Sequence, residues 1–154
     1  MWNLRLSIGL AVGAAAVAAT AQADPGTRSN WTAIAGQGAG IVELAPTAHD
    51  VVGPGTFDVQ GTVNLHGAAA NTEFTVWRRV DFNPNGVCSG AIWVKLPAPN
   101  DEGFTTSNGG AGALHFEISR PAPLVDGTSF DVQWRLSGAD GSVLESDCLT
   151  VRVK

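Results

Sequence analysis

Thr56-Phe57-Asp58-Val59-Gln60-Gly61-Thr62-Val63-Asn64-Leu65-His66 alternates along its length, with Phe57, Val59, Val63 and Leu65 on one side and Asp58, Gln60, Thr62, Asn64 and His66 on the other. A period of two belongs to a half-buried β-strand, because successive side chains point to opposite faces of a pleated sheet. Working outward, the same alternation recurs in residues 73–82 (Phe74, Val76, Val80, Phe82), 91–96 (Ile92, Val94, Leu96), 113–120 (Leu114, Phe116, Ile118), 129–137 (Phe130, Val132, Trp134, Leu136) and 148–154 (Leu149, Val151, Val153). Residues 41–44 make a seventh strand and residues 104–107 an eighth. Gly, Pro, Asn and Asp separate these runs, and no segment after residue 24 keeps a helical apolar stripe. Single strands of this kind cannot bury their apolar faces alone. The expected fold is therefore all-β, an antiparallel sandwich of about seven to eight strands.

The N-terminal end has a different character. One positive charge, Arg5, precedes an Ala/Gly/Val-rich run over residues 6–19 that closes in Ala21-Gln22-Ala23 before Asp24-Pro25. The run is too short and too rich in small residues for a membrane span, which needs about 20 strongly apolar residues. It reads as a signal peptide (residues 1–23) cut after Ala23, with a flexible leader or irregular edge segment over residues 24–40 and the sandwich domain over residues 41–154. Trp31 and Ile34 are the residues that would pin that leader to the body. The mature form is expected to be secreted or periplasmic and not membrane-spanning.

Removing 23 of the 154 residues leaves 131, enough for one domain. It also takes the formal charge from −5 to −6, because Arg5 is the only charged residue removed. Arg78-Arg79 is the only basic doublet, which argues against a nucleic-acid partner, since such a partner demands a concentrated basic face. The two cysteines, Cys88 and Cys148, enclose 59 residues and form a disulfide if the chain is exported.

Leu65-His66-Gly67-Ala68-Ala69-Ala70-Asn71-Thr72-Glu73-Phe74-Thr75-Val76 resembles the strand-turn-strand passage of fibronectin type III and related immunoglobulin-like domains. There a Gly-Leu-x-Pro-x-Thr-x-Tyr-x-Val pattern leads into an inner strand. Here Ala68 and Ala70 stand for the family's Leu and Pro, and Phe74 stands for its corner Tyr, so the hydroxyl that bonds the backbone is missing. At least four strands follow the passage, which in the family lies near the domain's end. Trp93 and Trp134 also miss the midpoint between the cysteines that an antibody-type domain fills with Trp. What the resemblance implies is an immunoglobulin-like sandwich, and no particular function.

Several motifs have a chemical and a plain reading. Gly86-Val87-Cys88-Ser89-Gly90 has the form of a nucleophile elbow, but the alternation after it predicts a strand where the elbow needs a helix. Asp81-Phe82-Asn83-Pro84-Asn85-Gly86 starts like a calcium loop, yet its twelfth position is Ile92 and the same residues suit a hairpin turn. Gly36-Gln37-Gly38-Ala39-Gly40 lacks the spacing of a phosphate loop. His49, His66 and His115 read as solvated side chains, and Asn30-Trp31-Thr32 is a glycosylation sequon. No catalytic, metal or cofactor set is assembled by this reading.

The remaining candidate lies on the expected hairpin. With Asn85 at the centre of the turn, Trp77 faces Trp93, Thr75 faces Lys95 and Arg79 faces Ala91, all on the side away from Phe74 and Val76. Two exposed indoles beside Arg79 and Lys95 would make a platform for a sugar ring or an anchor for a protein. The reading is therefore a non-enzymatic binding module for another protein or a cell-surface glycan. A carbohydrate-binding module using Trp77 and Trp93 is the alternative, and a small hydrolase has the least support.

Overall fold

The computed structural model describes residues 28–49, 56–89, 92–97, 101, 103–121 and 127–153. The expected signal peptide, its cleavage site and residues 24–27 lie outside them. Among the described residues eleven strands follow in order: β1 (Arg28–Asn30), β2 (Thr32–Ala35), β3 (Ala39–His49), β4 (Thr56–His66), β5 (Glu73–Asp81), β6 (Val94–Lys95), β7 (Phe104–Thr105), β8 (Gly112–Pro121), β9 (Ser129–Gly138), β10 (Val143–Glu145) and β11 (Leu149–Arg152). They form two packed antiparallel sheets, and the fold is an all-β sandwich.

The smaller sheet runs β1-β3-β4-β8 and the larger β2-β10-β9-β5-β6. In the larger sheet β11 lies beside β9 and β7 beside β5. β4 and β8 are neighbours in one sheet while their successors β5 and β9 are neighbours in the other, so two consecutive crossings interlock the layers. Strand alternation decides which side chains meet between the sheets. Val59, Val63 and Leu65 of β4, Phe116 and Ile118 of β8, Phe74 and Val76 of β5, and Val132, Trp134 and Leu136 of β9 form one buried cluster. Gly61 sits opposite Phe116 in the inward row of β4, and a Cβ there would lie 2.2 Å from the ring's tip. The missing side chain lets Phe116 lie over the backbone and reach Trp134, with ring centroids 5.0 Å apart.

Of the two readings of residues 24–40, flexible leader and irregular edge segment, the described residues 28–35 follow the second. They supply an edge strand to each sheet, and Trp31 marks the crossing between them. Trp31 is buried, its backbone N–H donates to the Gly40 carbonyl (3.0 Å) and its indole N–H to the Asn64 carbonyl (3.1 Å). The sandwich thus begins no later than Arg28 rather than at residue 41. Ile34 does not pin anything; it is 61% exposed on a strand with no buried position. The strand count exceeds eight because β1, β2 and β10 hold three or four residues each, too few for alternation to register.

Candidate functional site

The outward row of the larger sheet carries the proposed residues. In β5 this row is Thr75, Trp77, Arg79 and Asp81, and in β9 it is Asp131, Gln133, Arg135 and Ser137. The register toward β6 differs from the expected one: Trp77 faces Lys95 and Arg78 faces Val94. The centre of the connection thereby moves from Asn85 to Gly86, sliding the partner strand by two residues. Trp77 and Trp93 are consequently not directly opposite, and Ala91 lies outside the described residues. A two-residue slide preserves the face, so Trp77, Arg79, Trp93 and Lys95 remain on the outer side together.

The slide has an identifiable cause. The connection is no tight hairpin but an excursion whose residues 82–89 are drawn across the outer face and held at two points. Cys88 is bonded to Cys148, the residue preceding β11, with the Cα atoms 5.7 Å apart. Beside it, the Asp131 carboxylate of β9 is fully buried and accepts hydrogen bonds from the backbone N–H groups of Asn85 (2.8 Å) and Gly86 (2.7 Å) and from the Thr150 hydroxyl (2.6 Å). Asp81 and Asn85 tighten the turn further by accepting from the N–H groups of Asn83 and Val87. Two of the side chains that suggested a calcium loop, Asp81 and Asn85, thus accept turn hydrogen bonds. Cys88, in the elbow-like motif, is committed to the disulfide.

Burial opposes ionisation of Asp131, but the Thr150 hydroxyl and the N–H groups of Asn85, Gly86 and Val87 outweigh it and hold its carboxyl below the ordinary 3.8. A depressed folded-state value stabilises the fold above the unfolded carboxylate's pKa, about 3.9, and that stabilisation disappears as the pH falls through the folded value. Asp131→Asn is therefore expected to lower the unfolding free energy at pH 7 by about 2 kcal/mol. The gap to the parent chain should narrow below about pH 4. Urea midpoints taken between neutral and acid pH check this; a gap constant with pH would contradict it.

Next to the anchored loop is a polar lattice. Arg79 donates through Nε to Gln133 Oε1 (2.9 Å), whose amide Nε2 donates to the Ser146 carbonyl (2.7 Å). Arg135 pairs with Glu145 through Nε (2.8 Å) and Nη2. The Trp93 ring lies against both guanidinium groups, 4.8 Å from Arg79 Cζ and 4.2 Å from Arg135 Cζ. These are cation–π distances, which makes Trp93 a plane braced by two cations rather than one of a free indole pair. Trp77 lies half-buried in the same row. Arg135 was absent from the sequence reading; its outward parity on β9 was visible, but not that β9 is the neighbour of β5.

No family model, curated protein or solved structure matches the chain.

Other candidates are not brought together. His115 faces Thr62 on β4, with Nδ1 3.2 Å from the hydroxyl, and His66 lies four residues further along β4. Among the described residues no three His, Cys, Asp or Glu side chains group in a metal-holding arrangement. Arg78 and Arg79 follow opposite parities, so the basic doublet is divided between the two faces of its sheet. Asn30 is exposed on β1 beside the buried Trp31. Gly36, Gly38 and Gly40 take positive φ where the chain returns from the larger sheet to the smaller.

Proposed function

We propose that the chain is a secreted or periplasmic, non-enzymatic binding module built on an immunoglobulin-like sandwich, and that it binds through residues 82–89 and 92–94 and the adjoining Trp93 face. One observation carries the reading. Of the five large apolar side chains exposed among the described residues, four lie in this one segment: Phe82 (66% exposed), Val87 (52%), Ile92 (80%) and Val94 (45%). They are neighbours in sequence and not on one row, since Val94 faces Arg78 and Phe82 lies beside Phe130, so it is their concentration in one stretch of chain that supports the reading, isolated exposed apolar residues being ordinary. The disulfide and Asp131 hold the segment in place, so little conformational freedom is lost when a partner docks. The interlocked β4/β8 and β5/β9 pairs support the immunoglobulin-like assignment, and the disulfide accords with export.

A protein partner is favoured over a glycan, because two guanidinium groups already engage Trp93 and Trp77 is not its direct neighbour across the strands. The test immobilises the mature chain and measures binding to cell-envelope proteins and to a glycan panel. Ile92→Asp should weaken protein binding at least about tenfold, a loss typical of one anchoring residue, with the melting temperature unchanged. Binding to glycans that Trp93→Ala abolishes and Ile92→Asp spares would replace this reading with the carbohydrate one. Binding indifferent to both substitutions would place the site elsewhere.

A further inference from the structure

We infer that Asn108 is a site of spontaneous covalent modification, losing its side-chain amide through a cyclic imide, and that the Asp131 carboxylate keeps Asn85 from becoming a second. The sequence contains two Asn-Gly dipeptides, Asn85-Gly86 and Asn108-Gly109. In such a pair the glycine's backbone nitrogen can attack the asparagine's side-chain carbonyl carbon, Cγ, because a following residue without a Cβ leaves the approach open. The glycine nitrogen loses its proton and bonds to Cγ. The bond from Cγ to the side-chain nitrogen breaks, and that nitrogen takes up the proton and leaves as ammonia. Water then opens the imide at one of its two carbonyls, which yields either aspartate or an isoaspartyl link that routes the backbone through the side chain. Amide and water thus become acid and ammonia, and no oxidant or reductant takes part.

Both pairs are exposed, and their surroundings separate them. At Asn85 every group that must move is held. Gly86 N–H donates to Asp131 Oδ2 (2.7 Å) and Asn85 N–H to the same oxygen (2.8 Å), so the peptide units on both sides of Asn85 are fixed. Loss of the Gly86 proton would set a second negative charge against that carboxylate, which like-charge repulsion opposes. The Asn85 side chain is turned toward Val87, whose N–H donates to its Oδ1 (2.8 Å), and the disulfide fixes Cys88 just beyond. At Asn108 the turn is closed below its apex, where Ser107 N–H donates to the Ala111 carbonyl (2.7 Å). Gly109 N–H meets a neutral hydroxyl, Ser107 Oγ, at 3.3 Å, a long bond that the Ala111 N–H shares at the same distance. Among the described residues no hydrogen bond holds the Asn108 side chain. The space about Gly109 is open, since a Cβ there would meet only Ser107 Oγ, at 3.8 Å.

Incubation of the folded mature chain at mildly alkaline pH, followed by peptide mapping with mass spectrometry and isoaspartyl detection, reads both sites in one sample. Asn108 should convert at least about tenfold faster than Asn85, the factor expected where a charge-assisted hydrogen bond must break first. In guanidinium chloride with reductant the two rates should converge, because the difference lies in the fold. Asp131→Ala should speed conversion of Asn85 by about tenfold and leave Asn108 at its parent rate. Thr150→Val is the control: it removes the hydroxyl on Oδ1, keeps the oxygen that holds Gly86, and should leave Asn85 slow. Equal rates at the two sites in the folded parent overturn the proposal, and that comparison decides even if Asp131→Ala does not fold. So does an Asn108 that converts only in denaturant, or a Thr150→Val effect on Asn85 as large as that of Asp131→Ala.

Discussion

Replacing Cys88 and Cys148 together by alanine is expected to lower the unfolding free energy by about 4 kcal/mol, the chain-entropy estimate for a closed loop of about 60 residues. Most domains have only about 5–15 kcal/mol to lose. The crosslink spans the outer face of the larger sheet, joining the excursion after β5 to the residue before β11. Reductant should reproduce the loss in the parent chain and leave the double variant unaffected, which separates the covalent contribution from any packing defect at the buried Cys88. Asp131 grips the same excursion two to three residues earlier. Adding Asp131→Asn to the double variant should therefore cost less than it does in the parent, since contacts that share a segment are not additive. Urea denaturation of the four combinations provides the cycle, and strict additivity would show the two anchors to be independent.

The second large effect is expected at Trp31. Trp31→Ala removes a buried indole where the chain passes from one sheet to the other, and should cost about 4 kcal/mol, within the range for large aromatic truncations. Trp31→Phe keeps most of the packing and loses the indole's bond to the Asn64 carbonyl, so about 1 kcal/mol is expected from it. If Trp31→Ala left the urea midpoint unchanged, residues 28–35 would be the loose leader that their composition suggests.

That contrast shows what alternation can and cannot reveal. β4 was legible from its own residues because eleven positions keep one parity. β5, β8 and β9 were legible for the same reason, and inward residues such as Phe74, Phe116 and Trp134 followed from them. β2 reads Thr-Ala-Ile-Ala and buries none of its side chains, so it carries no amphipathic signal, and only its pairing with β10 makes it a strand. The face shared by Trp77, Arg79, Trp93 and Lys95 was readable from parity alone, whereas the pairing of Trp77 with Lys95 depends on how residues 82–89 are held. Asp131 shows why that was hidden. In sequence it is one more polar residue in an alternating strand, and its partners are backbone N–H groups that no side-chain pattern announces. Arg135 was out of reach for a related reason, because strand order brings it to Trp93 across a separation of 42 residues.

The crossing at Trp31 also governs the order in which the molecule can be completed. β1 finds its partner within the next fifteen residues, Arg28 facing Glu43. β2 must wait for β10, with Ala35 facing Val143, and the buried Ser29 must wait for the Asp147 N–H, 118 positions away. A growing chain can therefore assemble the β1-β3-β4 part of the smaller sheet while Thr32–Ala35 still has no mate. Joining distant segments is the slow kind of step in β proteins, since loop-closure entropy is lost before the contacts form. The same four residues that fasten the two sheets together are thus among the last to dock, and until then the β10 edge is open to any other strand that reaches it.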